Sequence, residues 1–122
     1  MKRDMEVVRK ILFRVEEFRF QEFFESDNLN IEGVSREQSV YHCCLLLDAG
    51  LICTDDNVHP QSPYSFSVYR LSSAGHDFID AARSDTVWNR AMTTAKDQGI
   101  SLTIDLTVQF LKSITKQILR LE

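Results

Sequence analysis

The sequence contains little glycine and proline, with only 4 Gly and 2 Pro among 122 residues. A β-sandwich or barrel needs many tight turns, which those two residue types usually supply. We therefore expect helices to dominate. A membrane span requires about 20 consecutive apolar residues, and no apolar run approaches that length. Residues 1–6 carry charges, but the apolar segment typical of a secretory signal does not follow them. These absences predict a cytoplasmic protein without a membrane partner.

Cysteine is also scarce, and its spacing differs from that of a metal site. The three cysteines are Cys43, Cys44 and Cys53, with no Cys-x-x-Cys pair. Neighbouring helical side chains such as Cys43 and Cys44 point about 100° apart. Their apolar surroundings favour reduced, buried thiols, so we predict no metal and no cofactor.

No combination of nucleophile, base and orienting group can be assembled from the chain, so we expect it not to be an enzyme. The net charge of -4 and the pI of about 5.3 repel phosphate at long range. Binding to nucleic acid would therefore need a locally basic surface.

Helical periodicity is clearest in residues 4–19 and 35–49. In the first segment Asp4 stands at an N-cap position, and the apolar residues occupy one arc. In the second, Ser35 and Gln38 have the spacing of a capping box, and Gly50 is placed to end the helix. Residues 20–34 lack this periodicity and predict turns with a short strand.

A β-hairpin is predicted after Gly50. Residues 51–54 form its first strand, residues 55–64 a polar tip, and residues 65–71 the returning strand. Further helices are expected after Ser72 or Ser73, after Ser84 or Asp85 with a stop at Gly99, and after the capping Ser101.

This order predicts a mainly α fold with a small β-hairpin (α+β), a winged-helix-like domain with additional C-terminal helices. We expect the winged-helix-like domain to span residues 1–100. Residues 101–122 would form a C-terminal amphipathic helix that could serve in dimerisation.

The surface of the second helix and the hairpin is the candidate contact to double-stranded DNA. The contacting residues would be Arg36, Gln38, Tyr41 and His42. The neighbouring Glu37 and Asp48, and the acidic hairpin tip, oppose that function.

Basic residues also cluster on two other helices. One cluster is Arg3, Lys10 and Arg14, and the other is Lys112, Lys116 and Arg120. Each cluster is either a face exposed to solvent or a contact to a phosphate or an acidic partner.

Apolar residues cover about 220° of the last helix, which is more than one packing face needs. Either the helix lies deep in its own core or it offers a second stripe to a partner. We expect a homodimer, with Ile104, Val108, Leu111 and Ile118 at the contact.

Three segments carry a family resemblance. They are residues 1–12 with Arg9-Lys10-Ile11-Leu12, residues 41–52 with Tyr41-His42 and Ala49-Gly50-Leu51-Ile52, and residues 70–88 with Gly75-His76-Asp77-Phe78. Together they resemble a family of short bacterial and prophage proteins, a domain of unknown function. The resemblance implies a bacterial or phage origin and a winged-helix-like core, and it supplies no catalytic residue.

These observations predict a non-enzymatic binding protein, with a bacterial or phage DNA-binding transcriptional regulator as the first hypothesis. The alternative is a protein-interaction module, such as a phage-encoded modulator of a host or defence protein, for which an acidic surface is favourable.

Overall fold

Helices make up most of the regular structure in the computed structural model, which describes residues 1–55 and 65–119. Within this part, the helices are α1 (Met5–Glu16), α2 (Arg36–Asp48), α3 (Ser73–Ala81), α4 (Asp85–Asp97) and α5 (Ile104–Leu119). The strands are β1 (Phe24–Glu25), β2 (Ile52–Cys53), β3 (Ser67–Val68) and β4 (Arg70–Leu71). The predicted mainly helical α+β class is confirmed.

Local signals set several helix ends as predicted. The Asp4 carboxylate accepts the N–H of Glu6 at 2.9 Å and caps α1. Gly50 follows α2 with a φ of 74°, and Gly99 follows α4 with a φ of 66°. Both are left-handed conformations that glycine adopts without a steric cost.

Other boundaries differ from the predicted ones. Helix α1 ends at Glu16 rather than at residue 19, with Glu17 as its C-cap. Helix α5 begins at Ile104 rather than after Ser101, because Thr103 Oγ1 accepts the N–H of Leu106 at 3.1 Å. Most of the predicted hairpin tip, residues 56–64, lies outside the described residues.

The strands form two short antiparallel pairs that share one returning segment. Strand β1 pairs with β3, placing Phe24 opposite Val68, and β2 pairs with β4, placing Ile52 opposite Leu71. Tyr69 separates β3 from β4, and its N–H donates to the carbonyl oxygen of Cys53 at 3.0 Å. The segment 67–71 therefore pairs with strands from both sides of α2 in the sequence.

The chain divides into two compact units, residues 1–77 and 78–122. In the first unit α1 packs against α2 and β4, and in the second α4 packs against α5. The predicted domain boundary after residue 100 stays a prediction. Among the described residues, no helix has the length and apolar character needed to span a membrane.

Apolar side chains fill the interior of each unit. In the first unit the fully buried ones include Val8, Ile11, Leu12, Leu29, Cys43, Leu46, Phe66, Val68 and Leu71. In the second they include Phe78, Ile79, Ala82, Trp88, Ala91 and Leu111. Trp88, the one tryptophan of the chain, has an exposure of 0%.

Helix α3 approaches the residue just before β2 through a glycine. A β-carbon on Gly75 would overlap the carbonyl oxygen of Leu51 and lie 3.1 Å from its carbonyl carbon. Because these are backbone atoms, no side-chain rotation can make room for it.

We therefore expect Gly75→Ala to lower the free energy of unfolding by about 3 kcal/mol, since the helix must move away from Leu51. Urea denaturation followed by circular dichroism measures this loss. The control is Ala74→Ser at the neighbouring exposed position, with an expected change within about 0.5 kcal/mol. Equal stability of Gly75→Ala and the control would contradict the close approach.

Candidate functional site

The amino end of α2 is an exposed and well-defined helix start. Ser35 Oγ accepts the N–H of Gln38 at 3.1 Å, and Gln38 Oε1 accepts the N–H of Ser35 at 2.9 Å. The predicted capping box is therefore confirmed. Arg36 and Glu37 follow in the first turn, and both are exposed.

The four residues predicted to contact DNA have different surroundings. Arg36 is exposed, and Tyr41 is 37% exposed one turn further along α2. Gln38 is half-buried, and its amide oxygen is occupied by the capping box. His42 is only 1% exposed, so it does not belong to the outer surface of α2.

His42 instead joins the amino ends of two helices. Its Nε2 accepts the backbone N–H of Asp4 at 2.8 Å, and its Nδ1 lies 2.7 Å from the carbonyl oxygen of Gln38. Because a carbonyl oxygen only accepts, this geometry assigns the ring proton to Nδ1. His42 therefore fixes the start of α1 against α2 and lies beneath the exposed side of α2.

A lysine from α1 stands beside the turn that leads into α2. Lys10 Nζ lies 3.6 Å from the position that a β-carbon would take on Gly33, two residues before Ser35. Periodicity placed Lys10 on an edge of α1 but could not show which part of the chain it would face. The structure thus brings a second cation, besides Arg36, to the amino end of α2.

Arg14, the third member of the predicted basic edge of α1, is engaged within the first unit. Its Nε donates to the carbonyl oxygen of Leu29 at 3.0 Å. Its guanidinium lies over the rings of Phe18 and Phe24, at 5.2 and 4.8 Å from their centroids. These contacts make it part of the packing of residues 18–29.

We name residues Lys10, Gly33, Arg36, Gln38 and Tyr41 the α2 amino-end surface. Its cations and its tyrosine suit contacts with phosphate and with a planar base or aromatic ring. The carboxylates of Glu32 and Glu37 are exposed close by in the sequence and reduce the positive potential. The surface is therefore mixed rather than strongly basic.

A second feature of the first unit is an exposed aromatic patch at the end of α1. Phe20 is 95% exposed and Phe23 is 50% exposed. The Phe23 ring contacts the ring of Tyr69 with their centroids 5.0 Å apart. Phe20 and Tyr69 also line a cavity of about 380 Å³ with Arg19, Arg70, His76 and neighbouring residues. Periodicity missed this patch because residues 20–34 have no helical pattern.

The residues of α5 predicted to form the dimer contact differ in their exposure. Leu111 is fully buried, Ile104 and Val108 are half-buried, and Ile118 is 45% exposed. Other exposed apolar residues are Leu106 at 42% and Leu119 at 58%. Leu106 lines a groove of about 440 Å³ with Ile100, Leu102, Gln109, Phe110 and Ser113.

The family model described as "Hypothetical protein (DUF2513)" matches residues 2–101. The chain belongs to the DUF2513 family. An uncharacterized protein of Haemophilus influenzae is similar to it, with 33% identity over 121 residues that cover 98% of this chain and 99% of the relative. No solved structure matches the chain.

Two cysteines of this DUF2513 protein, Cys43 and Cys44, lie in environments that oppose thiolate formation. Burial, with a smaller contribution from Cys44, raises the pKa of the Cys43 thiol to about 12. Burial and the carboxylate of Asp48 raise the pKa of Cys44. Among the described residues, no group of three His, Cys, Asp or Glu side chains could hold a metal ion.

We expect Cys43 in the folded protein to resist alkylation by iodoacetamide up to about pH 10, because the reactive thiolate is suppressed and the side chain is buried. In urea all three cysteines should react. Mass spectrometry of the modified peptides distinguishes the sites, and a Cys43→Ala variant provides the reference. Rapid modification of Cys43 at pH 8 without unfolding would contradict its assigned environment.

The raised pKa of Cys43 also predicts how the free energy of unfolding depends on pH. The contribution of the buried thiol is fully present below pH 9 and declines between pH 9 and about 12, because only the thiol of the unfolded chain ionises in that range.

Proposed function

We propose that the protein is a DNA-binding protein of winged-helix type, with the α2 amino-end surface as its contact to double-stranded DNA. The order α1, β1, α2, β2 and the returning segment 67–71 supports the fold proposal. In such a domain the first strand pairs with the returning strand of the hairpin, as β1 does with β3 here. Residues 17–35 contain a short strand and turns but no additional helix, so the first half of a helix-turn-helix would be reduced.

One observation carries the proposal: Lys10 and Arg36 lie at the start of an exposed, capped helix that also displays Tyr41. The free N–H groups of a helix start, together with two cations, favour phosphate. Tyr41 can add a contact with the sugar or a base edge. Because binding here would rest on contacts between cations and phosphates, which release counterions, we expect it to weaken as salt rises.

Fluorescence anisotropy with a labelled mixed-sequence duplex tests the proposal at low and at physiological salt. Arg36→Glu should weaken binding about ten-fold at low salt and reduce the salt dependence by about one phosphate contact. Tyr41→Ala should weaken binding without changing the salt dependence, since it removes no charge.

The matched control is Arg90→Glu, which makes the same charge change at an exposed position of α4. An equal loss from this control would show a general charge effect rather than a contact at α2. No binding by the unmodified protein at low salt would overturn the DNA proposal altogether.

A second candidate function is binding to another protein, such as a host or defence protein. The exposure of Phe20 at 95% and of Phe23 at 50% favours it, because buried aromatic anchors dominate protein interfaces. This function would use the aromatic patch and leave the α2 amino-end surface free, so the Arg36 variant would keep its affinity for such a partner.

We further propose that the protein acts as a homodimer through the exposed apolar face of α5. A stable dimer buries about 1,200 Å² or more in total. The groove beside Leu106 and Phe110 would therefore have to combine with Ile118 and Leu119 at the other end of the helix. Leu111 would support this face from the interior.

Leu106→Asp should convert the dimer to a monomer, because it places a charge in the apolar contact. Sedimentation velocity measures the change. Asn89→Asp introduces the same side chain at an exposed polar position of α4, away from this face of α5, and should remain dimeric. A monomeric unmodified protein at high micromolar concentration would rule out the dimer.

A further inference from the structure

The second unit contains a cavity of about 560 Å³ between the turn that joins α3 to α4 and the carboxyl half of α5. Its lining consists of Asp80, Ala81, Arg83, Ser84, Val87, Lys112, Thr115 and Lys116. The volume is within the range of about 300–1,000 Å³ that is common for small-molecule sites. None of these residues belongs to the α2 amino-end surface.

The lining collects positive charge in a chain that is acidic overall. The described part of the second unit has five Lys or Arg residues, at positions 83, 90, 96, 112 and 116, and three of them line this cavity. The acid of the lining, Asp80, pairs with Arg83 at 3.0 Å. Within the described residues, no ion pair neutralises Lys112 or Lys116.

The two lysines repel each other. They are four residues apart on α5, so their side chains are neighbours on the helix surface, and a like-charged pair at this spacing destabilises a helix. An anion between the two ammonium groups would turn this repulsion into attraction. The arrangement is thus unfavourable when empty and favourable when an anion is bound.

The remaining lining residues suit a ligand with both an anionic and an apolar part. Ala81 and Val87 contribute apolar wall. Ser84 Oγ accepts the N–H of Val87 at 3.3 Å, which leaves its hydroxyl hydrogen for donation to a ligand. Thr115 Oγ1 donates to the carbonyl oxygen of Leu111 at 2.8 Å, so its proton is already used within the helix.

We propose that this cavity binds a small phosphate-bearing ligand, with its phosphate group between Lys112 and Lys116 and its apolar part against Ala81 and Val87. Lysine binds phosphate as a mobile point charge, and two lysines match the charge of a phosphate monoester. The proposal is independent of the DNA-binding function, since it uses different residues and a different phosphate source.

Isothermal titration calorimetry with phenyl phosphate as the probe tests the cavity, because the probe combines a dianion with a small apolar group. The unmodified protein should bind it, and inorganic phosphate should bind more weakly. The double variant Lys112→Gln/Lys116→Gln should lose about ten-fold or more in affinity, since it removes two charge-assisted contacts.

The control is Lys96→Gln, which removes one exposed lysine of α4 outside the cavity and should leave the affinity unchanged. Thermal unfolding without the probe checks folding, and the double variant should be at least as stable because the repulsion between the lysines is gone. Equal phenyl phosphate affinity of the unmodified and double-variant proteins would overturn the proposal, as would the absence of binding at millimolar probe.

A duplex titration of the same double variant separates the two sources of phosphate. Unchanged DNA affinity, together with lost phenyl phosphate binding, supports a small ligand. A parallel loss of DNA affinity would overturn that assignment and place the lysines on the nucleic-acid backbone.

Discussion

Ser26 holds the first unit together at the point where three segments meet. Its N–H donates to the carbonyl oxygen of Phe66 at 2.7 Å, and its Oγ accepts the N–H of Phe66 at 3.0 Å. Its carbonyl oxygen accepts the hydroxyl of Ser39, on α2, at 2.6 Å. Because Ser26 is fully buried, water cannot replace these partners. The returning hairpin segment and α2 are therefore positioned by one small polar residue that follows β1.

Helix α2 has one face held by buried hydrogen bonds and another face exposed to solvent. Ser39 and His42 are one turn apart and hold the helix from the inside, the first to Ser26 and the second to the backbone of Asp4. Arg36 and Tyr41 remain at the exposed side. A surface fixed by buried hydrogen bonds loses little conformational entropy when it binds a partner. The amino end of α2 is thus suited to recognition even though its charge is mixed.

Local features of this fold could be predicted from the sequence, and long-range ones could not. The capping box at Ser35 and the left-handed Gly50 depend on residues within one turn, so their spacing was sufficient. The burial of His42 depends on Asp4, 38 positions away, and no pattern within α2 reveals it. For the same reason Lys10 could be assigned to a basic edge of α1 but not to the turn before α2. The candidate surface was therefore predicted in part, with one buried residue included and one cation missed.

The distribution of charge in the chain determines what each unit can bind. At separations beyond about 8 Å, physiological salt screens exposed charges from one another, so the overall negative charge has little effect inside a local cluster. A pair of lysines that has no ion-pair partner among the described residues, and that lies beside an apolar wall, would then attract a small anion despite the acidic composition. A long polyanion such as DNA extends past any local cluster and meets the surrounding carboxylates as well. The same net charge would therefore oppose the proposed DNA binding at α2 much more than the proposed binding of a small phosphate ligand between Lys112 and Lys116.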